Sequence, residues 1–213
     1  MVEKRQMRRE TVSGHKRELI LGAAKQVFAE EGLEGASLRA IAVRAGYTPA
    51  ALYFHFESKE AIYAEVLKAS LASLGTAVDQ AVAQTRTPAQ KLKAAAMSFF
   101  RFYAENPRDL DLGFYLFRGG MKPAGLGHER DKMLNSALEA ALRPIAEAGS
   151  ELGASRQKAN LLMVDCFAHA TGLLLLLHTG RIRMFGASAP DLMEAYVKQR
   201  IAHLSEGQCH ADH

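Results

Sequence analysis

The chain has 213 residues, 48% apolar and 23% charged, a globular balance that excludes a disordered or collagen-like protein. That length can bury a core without disulfides or a structural metal. The formal charge is only +4, too small for a histone-like protein held to nucleic acid by charge alone.

The excess charge is localised. Residues 1–17 carry Lys4, Arg5, Arg8, Arg9, Lys16 and Arg17 against Glu3 and Glu10, and the rest of the chain nets to zero. Residues 1–14 therefore read as a basic, flexible arm, either a solubilising tail or a contact to nucleic acid or a membrane surface.

Behind the arm the pattern is helical. From His15 to Glu31, Leu19, Ile20, Ala23, Ala24, Val27 and Phe28 recur at the spacing of one buried helix face, and Gly32 supplies a stop. Ser37 caps a second helix over 38–45, with Leu38, Ile41 and Ala42 on one side. Ala45-Gly46-Tyr47 is a tight turn. Thr48 with Pro49 opens a very short third helix ending near Phe54, and Ser58 caps a fourth that starts at Lys59.

Longer helices are expected over 64–85, 88–105, 107–118, 128–149, 154–180 and 190–205. Residues 118–127 form a Gly-rich break, and Pro144 predicts a kink or a break in the helix around it. The fold class is all-α. Residues 15–61 form a three-helix unit, 62–206 a larger bundle and 207–213 a disordered tail.

Several functions drop out at this stage. Cys166 and Cys209 lack metal or disulfide-framework spacing, and residues 1–20 lack the apolar core of a signal peptide, so a reducing cytoplasm is the expected setting. The apolar run Leu161–Leu177 contains Asp165 and His169, which are costly in a bilayer, so it reads as a buried helix with no membrane partner. No GxSxG, phosphate loop, HExxH or ExxH pattern occurs, so no catalytic residue, metal site or cofactor is expected. The terminal Cys209-His210-Ala211-Asp212-His213 reads as tail, not as a metal cluster.

Residues 37–56 have the plan of a helix-turn-helix, whose second helix enters the major groove. The short helix is thin and uncharged at Thr48, Ala50 and Ala51, so its backbone can approach bases closely. Tyr53, His55 and Lys59 follow with hydrogen-bond donors, while Leu52, Phe54 and Phe56 read as core or wedge residues.

The run from Ser37 through Ile41-Ala42, Ala45-Gly46, Leu52-Tyr53, His55-Phe56 and Ser58-Lys59-Glu60 resembles, without a gap, the DNA-binding signature of the TetR family of transcriptional regulators. Tyr47 and Ala50 depart from it, where a small aliphatic residue and a glycine are more usual. The resemblance implies that Ser37 and Arg39 meet phosphate or a groove edge. It likewise implies that Thr48, Ala50 and Ala51 face bases, and that Tyr53, His55 and Lys59 clamp phosphates.

It also implies a repressor that dimerises through its last two helices, 154–180 and 190–205. Such a protein leaves a double-stranded, palindromic operator when a small, largely apolar inducer binds. Leu161, Leu162, Cys166, Phe167, Ala170 and the leucine run are more than one small bundle can bury, and Leu192, Tyr196, Val197 and Ile201 offer a second apolar face. Phe99, Tyr103, Phe114 and Phe117 are the expected ligand-lining residues, against a plain core as the alternative. Asp165 and His169, four apart, form either a mutually satisfied pair at the dimer seam or the polar end of that pocket. The competing reading is a helical scaffold whose helix-turn-helix is only a structural corner.

Overall fold

In the computed structural model residues 2–113 and 125–209 are described, and every regular element among them is helical. Nine α-helices follow in order: α1 (Val2–Gly35), α2 (Leu38–Ala45), α3 (Pro49–Tyr53), α4 (Lys59–Ala83), α5 (Pro88–Glu105), α6 (Pro107–Gly113), α7 (His128–Glu151), α8 (Arg156–His178) and α9 (Ala189–Cys209). A short 3-10 helix, Arg181–Phe185, joins α8 to α9.

Local signals set most boundaries. Ser37 Oγ accepts from the Ala40 N–H at 3.1 Å and caps α2. Gly46 ends α2 at φ 73°, in the left-handed region that a side chain resists. Thr87 and Gln90 form a reciprocal capping box at the start of α5, ahead of Pro88.

Three features differ from expectation. The backbone of α1 is helical from Val2, so the segment expected as a flexible arm over 1–14 continues the helix; Glu, Lys, Arg, Gln and Met between residues 3 and 9 are good helix formers. Gly32, at φ 70° and ψ 180°, breaks α1 where the stop was expected. Helix α7 runs on through Pro144, because Ala141, Leu142, Ile145 and Ala146 around it are all buried and hold the turn. Helix α9 reaches Cys209, into the expected tail, and residues 210–213 lie outside the described ones.

The chain divides into two compact units. One comprises α1–α3, α4 up to Ser70, α6, and α7 as far as Leu134. Its core is Ile20, Ala24, Val27, Phe28, Ile41, Ala42, Leu52, Ile62 and Tyr63, with Phe28 and Tyr63 edge to face at 4.8 Å. The other comprises α4 from Leu71, α5, α7 from Asn135, α8 and α9, and buries Leu74, Leu92, Phe100, Ile145, Cys166, Leu174, Met193 and Val197.

Candidate nucleic-acid interface

Helix α3 is only five residues long and cannot hold itself; its neighbours hold it. Leu52 is fully buried and Phe56 nearly so. The Arg17 guanidinium of α1 lies 4.4 Å from the centre of the Phe56 ring, donates to the His55 carbonyl at 3.4 Å and pairs with Glu65 at 3.3 Å. On the other side Arg44 of α2 grips Glu30 of α1 through both carboxylate oxygens at 2.7 and 2.9 Å, which draws the Glu30 carboxyl below its ordinary range.

The outer face of α3 follows from its period. Ala50, Tyr53 and Phe54 stand at i, i+3 and i+4, and all three are exposed, Tyr53 at 61% and Phe54 at 89%. Thr48 and Arg39 are exposed as well, Ala51 and His55 half-buried. Thr48 Oγ1 accepts from the Ala51 N–H at 3.3 Å, the cap expected there. Each capping hydroxyl, Ser37 and Thr48, thus spends an acceptor on the backbone and keeps its O–H hydrogen free for a phosphate oxygen.

Phe54 was expected as core or wedge, and it is not core. Its φ of −72° continues the helix and carries the ring onto the open face beside Tyr53. Lys59 also differs from a free phosphate clamp. Its ammonium donates to the carbonyls of Leu33 at 2.9 Å and of Glu34 and Ala36 at 3.3 Å, capping the backbone where α1 ends.

The residues expected around a ligand fall into two groups. Phe99 and Tyr103 are buried and edge to face at 5.2 Å, and Phe99 meets Phe167 of α8 at 5.7 Å. Phe114 and Phe117, like most of the Gly-rich break, lie outside the described residues. Asp165 and His169 are not a mutual pair, because α9 offers each a partner. Asp165 faces Arg200 at 3.5 Å, and the His169 imidazole stacks on the Tyr196 ring, 3.8 Å between centres and 11° between planes. Burial lowers the His169 pKa, opposed by the Asp165 charge. Burial first and then Asp165 push the Cys166 thiol up to about 12.

Among the described residues no group of three His, Cys, Asp or Glu side chains is placed to hold a metal. Helix α8 is long and apolar enough to cross a membrane, as is α4, but α8 is two-faced: Leu162, Cys166, Ala170, Leu173 and Leu174 are buried, while Leu161, Val164 and Leu175 are exposed.

The geometry has counterparts. The sequence pattern of bacterial regulatory proteins of the tetR family matches residues 20–66, which span the end of α1 through the start of α4. The transcriptional activator FasR of Mycolicibacterium smegmatis is 37% identical over 95 residues, 45% of this chain and 43% of its own length. The transcriptional repressor NicS of Pseudomonas putida is 25% identical over 183 residues, 85% of this chain and 84% of its own. The structure of the regulator FadR of Bacillus subtilis with stearoyl-CoA superposes with a TM-score of 0.64 at 18% identity, covering 89% of this chain and 98% of that one. With the capped two-helix corner, the exposed face of α3 and the matching segment all in register, residues 20–66 carry the DNA-binding segment of the bacterial regulatory proteins of the tetR family.

Proposed function

We propose that the protein is a homodimeric transcriptional repressor that binds a palindromic DNA operator and is released by a small, largely apolar ligand. The observation that carries the DNA reading is the face of α3. Thr48, Ala50, Tyr53 and Phe54 are presented together, while Leu52 and Phe56 anchor the helix from behind. Thr48 and Ala50 are small enough to let the backbone reach base edges, Tyr53 and the capping hydroxyls serve phosphates, and Phe54 supplies apolar contact to a thymine methyl or sugar. NicS, which is alignable over most of its length, is a repressor, and this favours repression. Acting on DNA, the protein works in the cytoplasm.

Dimerisation follows from the open side of α8. Leu161, Val164, Ala168, Gly172 and Leu175 form one exposed stripe, continued on α9 by Leu192. Full burial of each large member contributes about 1.5–3 kcal/mol. A second copy placed on helices α8 and α9 covers this stripe, and a palindromic operator asks of that dimer two copies of α3 about one turn of DNA apart.

The aromatic layer Phe99, Tyr103 and Phe167 supports an apolar ligand, and the stearoyl-CoA bound to FadR carries an apolar acyl chain on its charged coenzyme A. A ligand favouring a conformer with the wrong spacing of the two α3 helices weakens DNA binding, and DNA weakens ligand binding by the same factor. The route from ligand to DNA is α4, which contributes residues to both units. The test is a gel shift on the DNA flanking the protein's own gene. Wild type shifts it and Tyr53→Ala does not. A wild-type protein that shifts no fragment of that DNA overturns the reading in favour of a scaffold.

A further inference from the structure

The exposed stripe of α8 borders a groove of 1140 Å³ whose lining includes Leu161, Val164, Asp165, Ala168, Arg200 and Leu204. Lys158, His203 and Glu206 line it too, but Asp165 and Arg200 are the charges in it that face each other. Asp165 and Arg200 are both half-exposed, with side chains 49% and 38% open, and their contact is loose at 3.5 Å. The node is also incomplete: Arg200 Nε and His169 Nε2 are buried, and no hydrogen-bond partner meets either of them. A partner chain cannot reach these two enclosed atoms; what it can meet is the open part of the guanidinium and of the Asp165 carboxylate, which their loose contact leaves to water.

We infer that the Asp165–Arg200 pair is shared across the dimer two-fold, the Asp165 of each copy pairing with the Arg200 of the other, and that this exchange sets the register of the dimer. The inference rests on the dimer reading above. It follows from symmetry. In a two-fold interface a contact of residue i with j of the other copy is matched by j with i, and residues close to the axis meet the image of their own neighbourhood. An axis passing between Asp165 and Arg200 lays each acid over the other copy's base and each base over the other copy's acid. Four charges then alternate in sign around the axis, and each guanidinium gains a second carboxylate. Any register that stacks Asp165 on Asp165, or Arg200 on Arg200, sets like charges together in a groove being emptied of water. A polar pair inside an apolar seam fixes register through the penalty on every alternative.

The test mixes two chains. An Asp165→Arg chain carries two bases at the node, and an Arg200→Asp chain carries two acids. Each like-charged homodimer repels itself, whereas the mixed dimer restores both opposite pairs across the two-fold, each chain keeping one like-charged pair within itself. The two chains are co-expressed with tags of different mass, and the dimers are counted by native mass spectrometry. The expected result is nearly all heterodimer. A matched control, Glu151→Lys with Lys91→Glu, alters an ion pair elsewhere on the chain by the same charges. That control should give the statistical mixture, about half heterodimer. The chain carrying both Asp165→Arg and Arg200→Asp should return to a homodimer, which shows that both substitutions are tolerated by the fold. Statistical mixing of the node variants, with wild type dimeric, overturns the shared pair alone. A wild-type protein that sediments as a monomer overturns the dimer reading on which it rests.

Discussion

Lys25 of α1 and Asp109 of α6 form a two-point ion pair, the ammonium lying 2.8 and 2.9 Å from the two carboxylate oxygens. The acid is the enclosed partner, with 9% of its side chain exposed against 45% for the lysine. Beside it the Tyr63 hydroxyl of α4 donates to the Leu112 carbonyl of α6 at 2.9 Å. Two polar ties thus fasten α6 within the unit that carries α3. Removing Lys25 strands a largely buried carboxylate, whereas the half-open lysine tolerates loss of its partner in water. Lys25→Met should lower stability by about 1–3 kcal/mol, and Asp109→Asn, which keeps an acceptor, by less. Urea unfolding midpoints decide it. A Lys25→Met loss no larger than that of an ordinary surface substitution would show that the pair is solvated and not a tie.

Lys59 gives the second prediction. Its three carbonyl contacts cap the end of α1, so Lys59→Ala should lower the melting temperature. The slope of log affinity for DNA against log salt should not change, because no phosphate contact is lost. A phosphate clamp behaves in the opposite way, and its removal reduces the slope by about 0.9. The two outcomes are separable on one set of titrations.

Which parts of this arrangement were readable in advance depends on how far apart the partners lie along the chain. The caps Ser37, Thr48 and Thr87 and the left-handed Gly46 act on residues within three or four positions, so residue type alone marks them. Lys59 and Leu33 are 26 residues apart, and Lys25 and Asp109 are 84 apart. No local pattern links such pairs. Residue type left Phe54 open between core and wedge because Leu52, Phe54 and Phe56 alternate like one apolar set, whereas the helical backbone at Phe54 sends its ring to the opposite side from Leu52 and so excludes the core. Asp165 and His169 have the spacing of a helical pair, but spacing shows only that two side chains can meet. Arg200 and Tyr196 on the neighbouring helix compete for them and win, the arginine through opposite charge and the tyrosine through ring stacking.

The third prediction separates binding from stability at α3. Phe54 is almost wholly exposed, so Phe54→Ala should change the unfolding free energy by no more than about 0.5 kcal/mol. Its loss of apolar contact should nonetheless weaken operator binding. Tyr53→Phe removes only a hydroxyl, and should weaken binding about 5- to 10-fold, the worth of one hydrogen bond of about 1 kcal/mol. Full affinity in both variants would show that α3 does not present this face to DNA.

The fourth prediction concerns pH. Burial, with the ring stacked on Tyr196, holds the folded pKa of His169 below the ordinary histidine value, and the Asp165 charge opposes that shift. A depressed base takes up its proton more readily when unfolded. Stability from the neutral ring is therefore fully present above the ordinary histidine range and is lost as pH falls through that range toward the folded pKa. The melting temperature of the wild type, at one fixed protein concentration, should drop more between pH 7.5 and 5.5 than that of His169→Phe, which keeps the stacking ring and cannot titrate. Comparing the difference between the two pH values, and not the absolute stability, cancels any packing change the substitution brings. Equal drops in both proteins would mean that His169 is free to protonate in place, with Asp165 offsetting the whole cost of burial.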